Sequence, residues 1–146
     1  MQVAVSASKV LVRESTDTTN DSKASPFLIA CNDFIKESTH LFKNINLLKK
    51  LDMYKYFEYV AGSDTFSFNK PDPRHLTDVV EIIGGDLKKT IMVGDSEVDA
   101  NSAHNANLPF VLVKDGYTEK TEKEIKHDEL INDFIGFDKI IEKYLW

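Results

Sequence analysis

With 146 residues and 42% hydrophobic content, the chain can bury one core, and a single compact domain is expected. A formal net charge of -6 and a pI near 5.2 exclude a surface built to neutralise nucleic-acid phosphates, and the lysines fall into small solvated groups such as Lys49 with Lys50 and Lys88 with Lys89. The lone cysteine, Cys31, excludes an internal disulfide framework, and no apolar stretch approaches the roughly 18 residues that span a bilayer.

Residues 1–12 lack the basic lead and sustained apolar run of a secretory signal, so a soluble cytoplasmic protein is expected, with neither nucleic acid nor membrane as partner. A small phosphorylated metabolite stays compatible with the charge, because it needs only one or two well-placed cations.

In chain order, residues 3–6 and 9–13 are valine-rich strand candidates. Residues 14–25, rich in Ser, Thr, Asp and Asn, read as a loop or disordered link. That link divides the chain into an N-terminal segment, 1–26, and a body, 27–146. Residues 27–31 form a continuous apolar run of the buried-strand kind, with Cys31 as a structural thiol. Apolar residues from Phe34 to Leu51 recur at helical spacing and predict a helix over 33–50. A short strand at 59–61 precedes a helix opened by Pro73 and stopped by Gly84 and Gly85. Strands at 90–93, 110–113 and 129–132 follow, with helices at 96–105 and 137–144. Strands alternating with amphipathic helices predict an α/β fold, a parallel sheet with helices on both faces and ligands at the strands' carboxyl ends.

Two stretches carry chemistry at such ends. In Ile91-Met92-Val93-Gly94-Asp95-Ser96-Glu97-Val98-Asp99, an apolar strand runs into a glycine that permits a tight turn. Asp95 then stands at the sheet edge, with Asp99 in the first turn of the next helix. Crowded carboxylates call for a nearby cation, and hard oxygen ligands favour Mg²⁺. The competing reading is structural: Asp95 caps the helix and Asp99 supports its dipole. Upstream, Asn69-Lys70-Pro71-Asp72-Pro73 holds a lysine between a loop and a proline-started helix, where it could neutralise a phosphate or lie in an exposed polar loop. The histidines at 40, 75, 104 and 127 share no metal spacing and are expected at the surface.

Taken together, Lys70-Pro71-x-Pro73 and Gly94-Asp95-Ser96-x-x-Asp99, separated by one helix and one strand, resemble the haloacid dehalogenase superfamily. The flanking words agree. Leu51 to Phe57 is similar to its GL-x-x-YF segment, Val60-Ala61-Gly62-Ser63-Asp64 to its V-x-G-S/G-D, and Gly116-Tyr117 to its GY. Residues 103–113 are similar to its A-x-x-A-G-x-P-x-x-x-V, with Asn107 in place of the glycine. The nearest subgroup resembles phosphoglycolate phosphatases. The resemblance implies a Rossmann-like three-layer core, here incomplete and without the cap domain, and a Mg²⁺-dependent phosphomonoesterase. It implies that Lys70 stabilises the phosphate, that Asp95 ligates Mg²⁺, that Asp99 binds the metal's shell or orients Lys70, and that Ser96 lines the site.

The chain also departs from the pattern. The family's nucleophile is the first aspartate of a D-x-D-x-T element on its first strand, and no D-x-D occurs here. Ser15-Thr16-Asp17-Thr18-Thr19 is the nearest string, and it puts Ser15 where the aspartate belongs. The family's second strand ends in a hydroxyl that holds a phosphate oxygen. Residues 3–6, ending in Ser6, and 28–32, ending in Asn32, compete for that place, and residue type favours Ser6. Three readings follow: a phosphatase core without a recognisable nucleophile, a non-catalytic phosphate and Mg²⁺ module, or one part of a truncated or split enzyme. The last makes a complementing chain, or a homodimer, a candidate partner.

Overall fold

The computed structural model describes residues 2–6, 27–31, 41–116 and 118–145. The expected strand at 9–13, the link, Ser15, Asp17, Asn32, the first part of the helix expected over 33–50, His40 and Tyr117 lie outside the described residues.

Among the described residues, six strands form one parallel sheet: β1 (Gln2–Ser6), β2 (Phe27–Cys31), β3 (Tyr59–Ala61), β4 (Thr90–Gly94), β5 (Phe110–Val113) and β6 (Glu129–Ile131). Their order is β3-β2-β1-β4-β5-β6. The chain therefore steps outward from β1 to β3, then returns to lay β4 on β1's other side. That reversal makes the boundary between β1 and β4 a topological switch point, where loops diverge and leave a crevice at the carboxyl edge.

The helices are α1 (Leu41–Lys50), α2 (Arg74–Ile82), α3 (Glu97–Asn105) and α4 (Phe137–Leu145). Strand alternation sorts them onto two faces. Met92, Phe110, Leu112 and Ala61 pack against Leu76, Val79 and Val80 of α2 and Ala100 and Ala103 of α3. Ile91, Val93, Val111 and Val113 face Phe137, Ile140 and Ile141 of α4. Val60, opposite in direction to Ala61, meets Leu48 of α1. All five residues of β4 are buried, as a strand covered on both faces requires. The expected three-layer architecture is what the structure has.

Helix ends follow local chemistry. After α1, Asp52 takes a left-handed φ of 54° while Met53 N–H bonds back to the Leu48 carbonyl at 2.8 Å. After α2, Gly84 takes φ 67° and Gly85 N–H reaches the Val80 carbonyl at 2.7 Å.

One expectation changes. Residues 3–6 and 27–31 do not compete for one place, because they pair with each other along a ladder that runs from Gln2↔Phe27 to Ser6↔Cys31. The segment expected over 1–26 contributes β1 to the same sheet as the body expected over 27–146. β1 lies inside the sheet, paired on its other edge from Gln2↔Thr90 to Val5↔Val93. An apolar strand in the centre of a parallel sheet satisfies its backbone on both sides, which a detached segment could not.

Candidate active site

β4 delivers Asp95 to the switch point, and α3 starts immediately after it. Ser96 is the helix N-cap: its hydroxyl accepts from Asp99 N–H at 3.3 Å and donates to Asp99 Oδ2 at 2.7 Å. Asp95 N–H donates to the same Oδ2 at 3.3 Å. The capping role allowed for Asp95 thus falls to Ser96, and Asp99 is folded back under the turn. This packing requires Gly94, since a Cβ there would stand 2.5 Å from Asp99 Cβ.

Lys70 comes from the far side of the sheet, on the loop after β3. Phe66 and Phe68 stack at 5.4 Å, and the Arg74 guanidinium lies 4.3 Å above the Phe68 ring. Arg74 also forks onto Asp72 at 2.7 and 3.0 Å and holds that carboxyl down at about 2. The chain between is thereby fixed, and Lys70 Nζ donates to Asp99 Oδ1 at 2.7 Å, with the two side chains only 7% and 2% exposed. The loop after β3 and the helix after β4 lie three strand positions apart in the sheet order, so the backbone of residues 62–70 carries Lys70 most of the way.

The wall on the other side is the loop after β5. Gly116 lies so close to Asp95 that a Cβ would overlap Asp95 Cβ and stand 2.6 Å from its carbonyl oxygen. Thr118 ties this loop to α3 by donating to Glu97 Oε2 at 2.6 Å, which draws the Glu97 carboxyl below its usual range. A cavity of about 260 Å³ opens here, lined by Asp95, Lys114, Gly116, Thr118 and Lys120 among others. Gly116→Ala is therefore expected to cost about 1–3 kcal/mol by overpacking and to displace the Asp95 carboxylate. Urea denaturation checks the first effect and Mg²⁺ titration the second.

The structure brings together Lys70, Asp95, Ser96 and Asp99. Asp99 has both oxygens engaged, one by Lys70 and one by Ser96 and the Asp95 amide. Of the two roles expected for it, orienting Lys70 is the one this geometry fits. Asp95 is 7% exposed and lines the cavity beside Gly116. Among the described residues, no group of three or more His, Cys, Asp and Glu side chains converges. A hard divalent ion fits such a site only in the manner of Mg²⁺, with one or two carboxylates and its remaining ligands from phosphate and water.

Ser6 ends β1, one residue past the Val5↔Val93 pair, and therefore stands at the same edge as Asp95. It heads the central strand rather than the next one out. Cys31 closes β2, in register with Ser6. The preference for Ser6 as the second strand's hydroxyl rested on residue type, whereas strand order is fixed by pairing. His75 is also displaced from expectation. It is 3% exposed, with its ring edge-on to Phe66 and Nδ1 3.4 Å from the Phe68 carbonyl. Sequence reasoning missed the Thr118–Glu97 tie and the bond from Asn105 to Pro71, both long-range contacts without a local signature.

Residues 35–113 match the family model for haloacid dehalogenase-like hydrolases. The chain is 41% identical over 91 residues to a phosphoglycolate phosphatase of Mesorhizobium japonicum, covering 62% of this chain and 40% of that protein. It is 40% identical over 104 residues to one of Agrobacterium fabrum, covering 68% and 45%. The crystal structure of a predicted phosphoglycolate phosphatase from Haemophilus somnus superposes with a TM-score of 0.69 at 23% identity, over 79% of this chain and 49% of that one, a likeness of fold. The chain thus spans about half the length, or less, of these relatives. With a family model matched across its central elements and the lysine and acidic pair assembled at the switch point, the chain belongs to the haloacid dehalogenase-like hydrolase family.

Proposed function

We propose that this chain forms the Mg²⁺- and phosphate-binding core of a phosphoglycolate-phosphatase-like phosphomonoesterase. The observation that carries the reading is the buried Lys70–Asp99 pair, 2.7 Å long, beside Asp95 at the switch point between β1 and β4. A lysine held by a carboxylate in a nearly dry site presents a fixed positive charge to a small phosphate, where it acts far more strongly than in water. Asp99 orients the ammonium, Ser96 and the Asp95 amide hold Asp99, and Asp95 faces the metal. When bound, Mg²⁺ would neutralise phosphate oxygens beyond the reach of Lys70.

A second reading, binding without turnover, is favoured by one specific feature. The central strand ends in Ser6, and the sequence contains no D-x-D from which a carboxylate could attack phosphorus. A complementing chain, or a second copy, is proposed as the source of the missing group if turnover occurs in an assembly. An aryl phosphate assayed with Mg²⁺ separates the readings. Turnover abolished by Asp95→Asn supports the phosphatase. Binding of orthophosphate with Mg²⁺ but neither turnover nor beryllofluoride binding supports the module. Failure to bind Mg²⁺ and phosphate at all contradicts both.

A further inference from the structure

The last residue of α3, Asn105, donates from Nδ2 to the carbonyl of Pro71 at 3.1 Å. Six residues earlier on the same helix, Asp99 holds the ammonium of Lys70. At 1.5 Å per residue these grips lie about 9 Å apart along α3, one on the side chain of residue 70 and one on the backbone of residue 71. A helix is the stiffest available ruler over that distance. We infer that Asn105 is a positioning residue for Lys70: it anchors the backbone from which the lysine stem extends, so that the ammonium arrives at the anion site already placed.

Three observations separate this role from ordinary helix maintenance. The carboxyl end of α3 is already satisfied without the Asn105 side chain. Asn107 adopts φ 56°, Asn107 N–H bonds to the His104 carbonyl at 3.0 Å, and Leu108 N–H bonds to the Ala103 carbonyl at 2.9 Å. Asn105 is exposed, so no packing depends on it, and alanine is the better helix former at such a position. Its acceptor also lies 34 residues away in sequence, on the segment that carries the lysine, not within its own helix. The stem of Lys70 has four rotatable bonds, and holding its ammonium on Asp99 costs more entropy the more freely the backbone beneath it can shift. A tethered Pro71 removes part of that cost beforehand.

The inference rests on the proposed phosphate-binding role of Lys70, and its test is arranged so that the two can fail separately. Asn105→Ala is expected to weaken orthophosphate binding in saturating Mg²⁺ about five-fold, the loss of one modest hydrogen bond, while Mg²⁺ affinity and the melting temperature stay close to wild type. Asn105→Asp, equal in size but unable to donate, should lose at least as much. Phosphate affinity within two-fold of wild type in both variants overturns the inference. If wild-type protein fails to bind orthophosphate, the site reading falls, and Asn105 is judged on the ammonium protons of Lys70 by ¹⁵N-resolved NMR. Faster solvent exchange in both variants supports the anchor, and unchanged exchange overturns it.

Discussion

Lys70→Ala is expected to destabilise the chain by about 3–5 kcal/mol, one of the largest effects of any single substitution here. The cause is what remains. Asp99 is only 2% exposed at its side chain, and removing the lysine deprives a carboxylate in a nearly dry site of the cation 2.7 Å away. A buried pair need not add much net stability over apolar residues, but breaking it from one side leaves desolvation of a charge uncompensated. Lys70→Met keeps most of the stem and should lose nearly as much, because the charge and not the packing is at stake. The double variant Lys70→Met, Asp99→Leu should recover only part of the loss. Asp99 also accepts from the Ser96 hydroxyl and the Asp95 amide, and leucine leaves both donors unsatisfied. Urea unfolding of the three variants measures all of this. Equal stability of wild type and Lys70→Ala would mean that the pair is not buried as described.

Asp95→Asn is expected to act in the opposite sense, with a large effect on binding and a small one on the fold. Asp95 lines the crevice, with Gly116 close against it and the turn into α3 starting beside it. Asparagine is nearly the same size, so neither contact is disturbed, and one negative charge leaves a crowded acidic corner. Mg²⁺ affinity should fall by at least about 100-fold, since even residues that merely orient a metal ligand cost 10–100-fold. Melting temperature in metal-free buffer should shift far less than in Lys70→Ala. A substantial loss of stability with Mg²⁺ affinity retained would assign Asp95 a structural role instead.

How far the sequence leads depends on how local each feature is. Thr90 to Gly94 was legible because a strand buried on both faces must be continuously apolar, and because a glycine against Asp99 leaves a mark in the sequence. The Lys70 segment was legible because Pro71 and Pro73 restrict the backbone wherever they occur. The meeting of Lys70 with Asp99 spans 29 residues and followed only from the parallel topology and the family resemblance. Position in the sheet was not legible for residues 2–6. Both neighbours of β1 are set by pairing with distant strands, which valine content cannot report. His75 shows the same limit at the level of one side chain. Its burial under Phe66 comes from a loop that folds back on α2, and no spacing of histidines foretells that. The Ser96 cap, by contrast, is a local pattern of Ser-x-x-Asp, readable once the helix start is placed.

The most direct test is calorimetric titration of orthophosphate into the wild-type chain with and without Mg²⁺. If Lys70 and Asp95 serve one pocket, Mg²⁺ should raise phosphate affinity by about ten-fold or more, and phosphate should raise Mg²⁺ affinity by the same factor. Binding of each ligand with an affinity indifferent to the other would place them at separate sites and contradict the account.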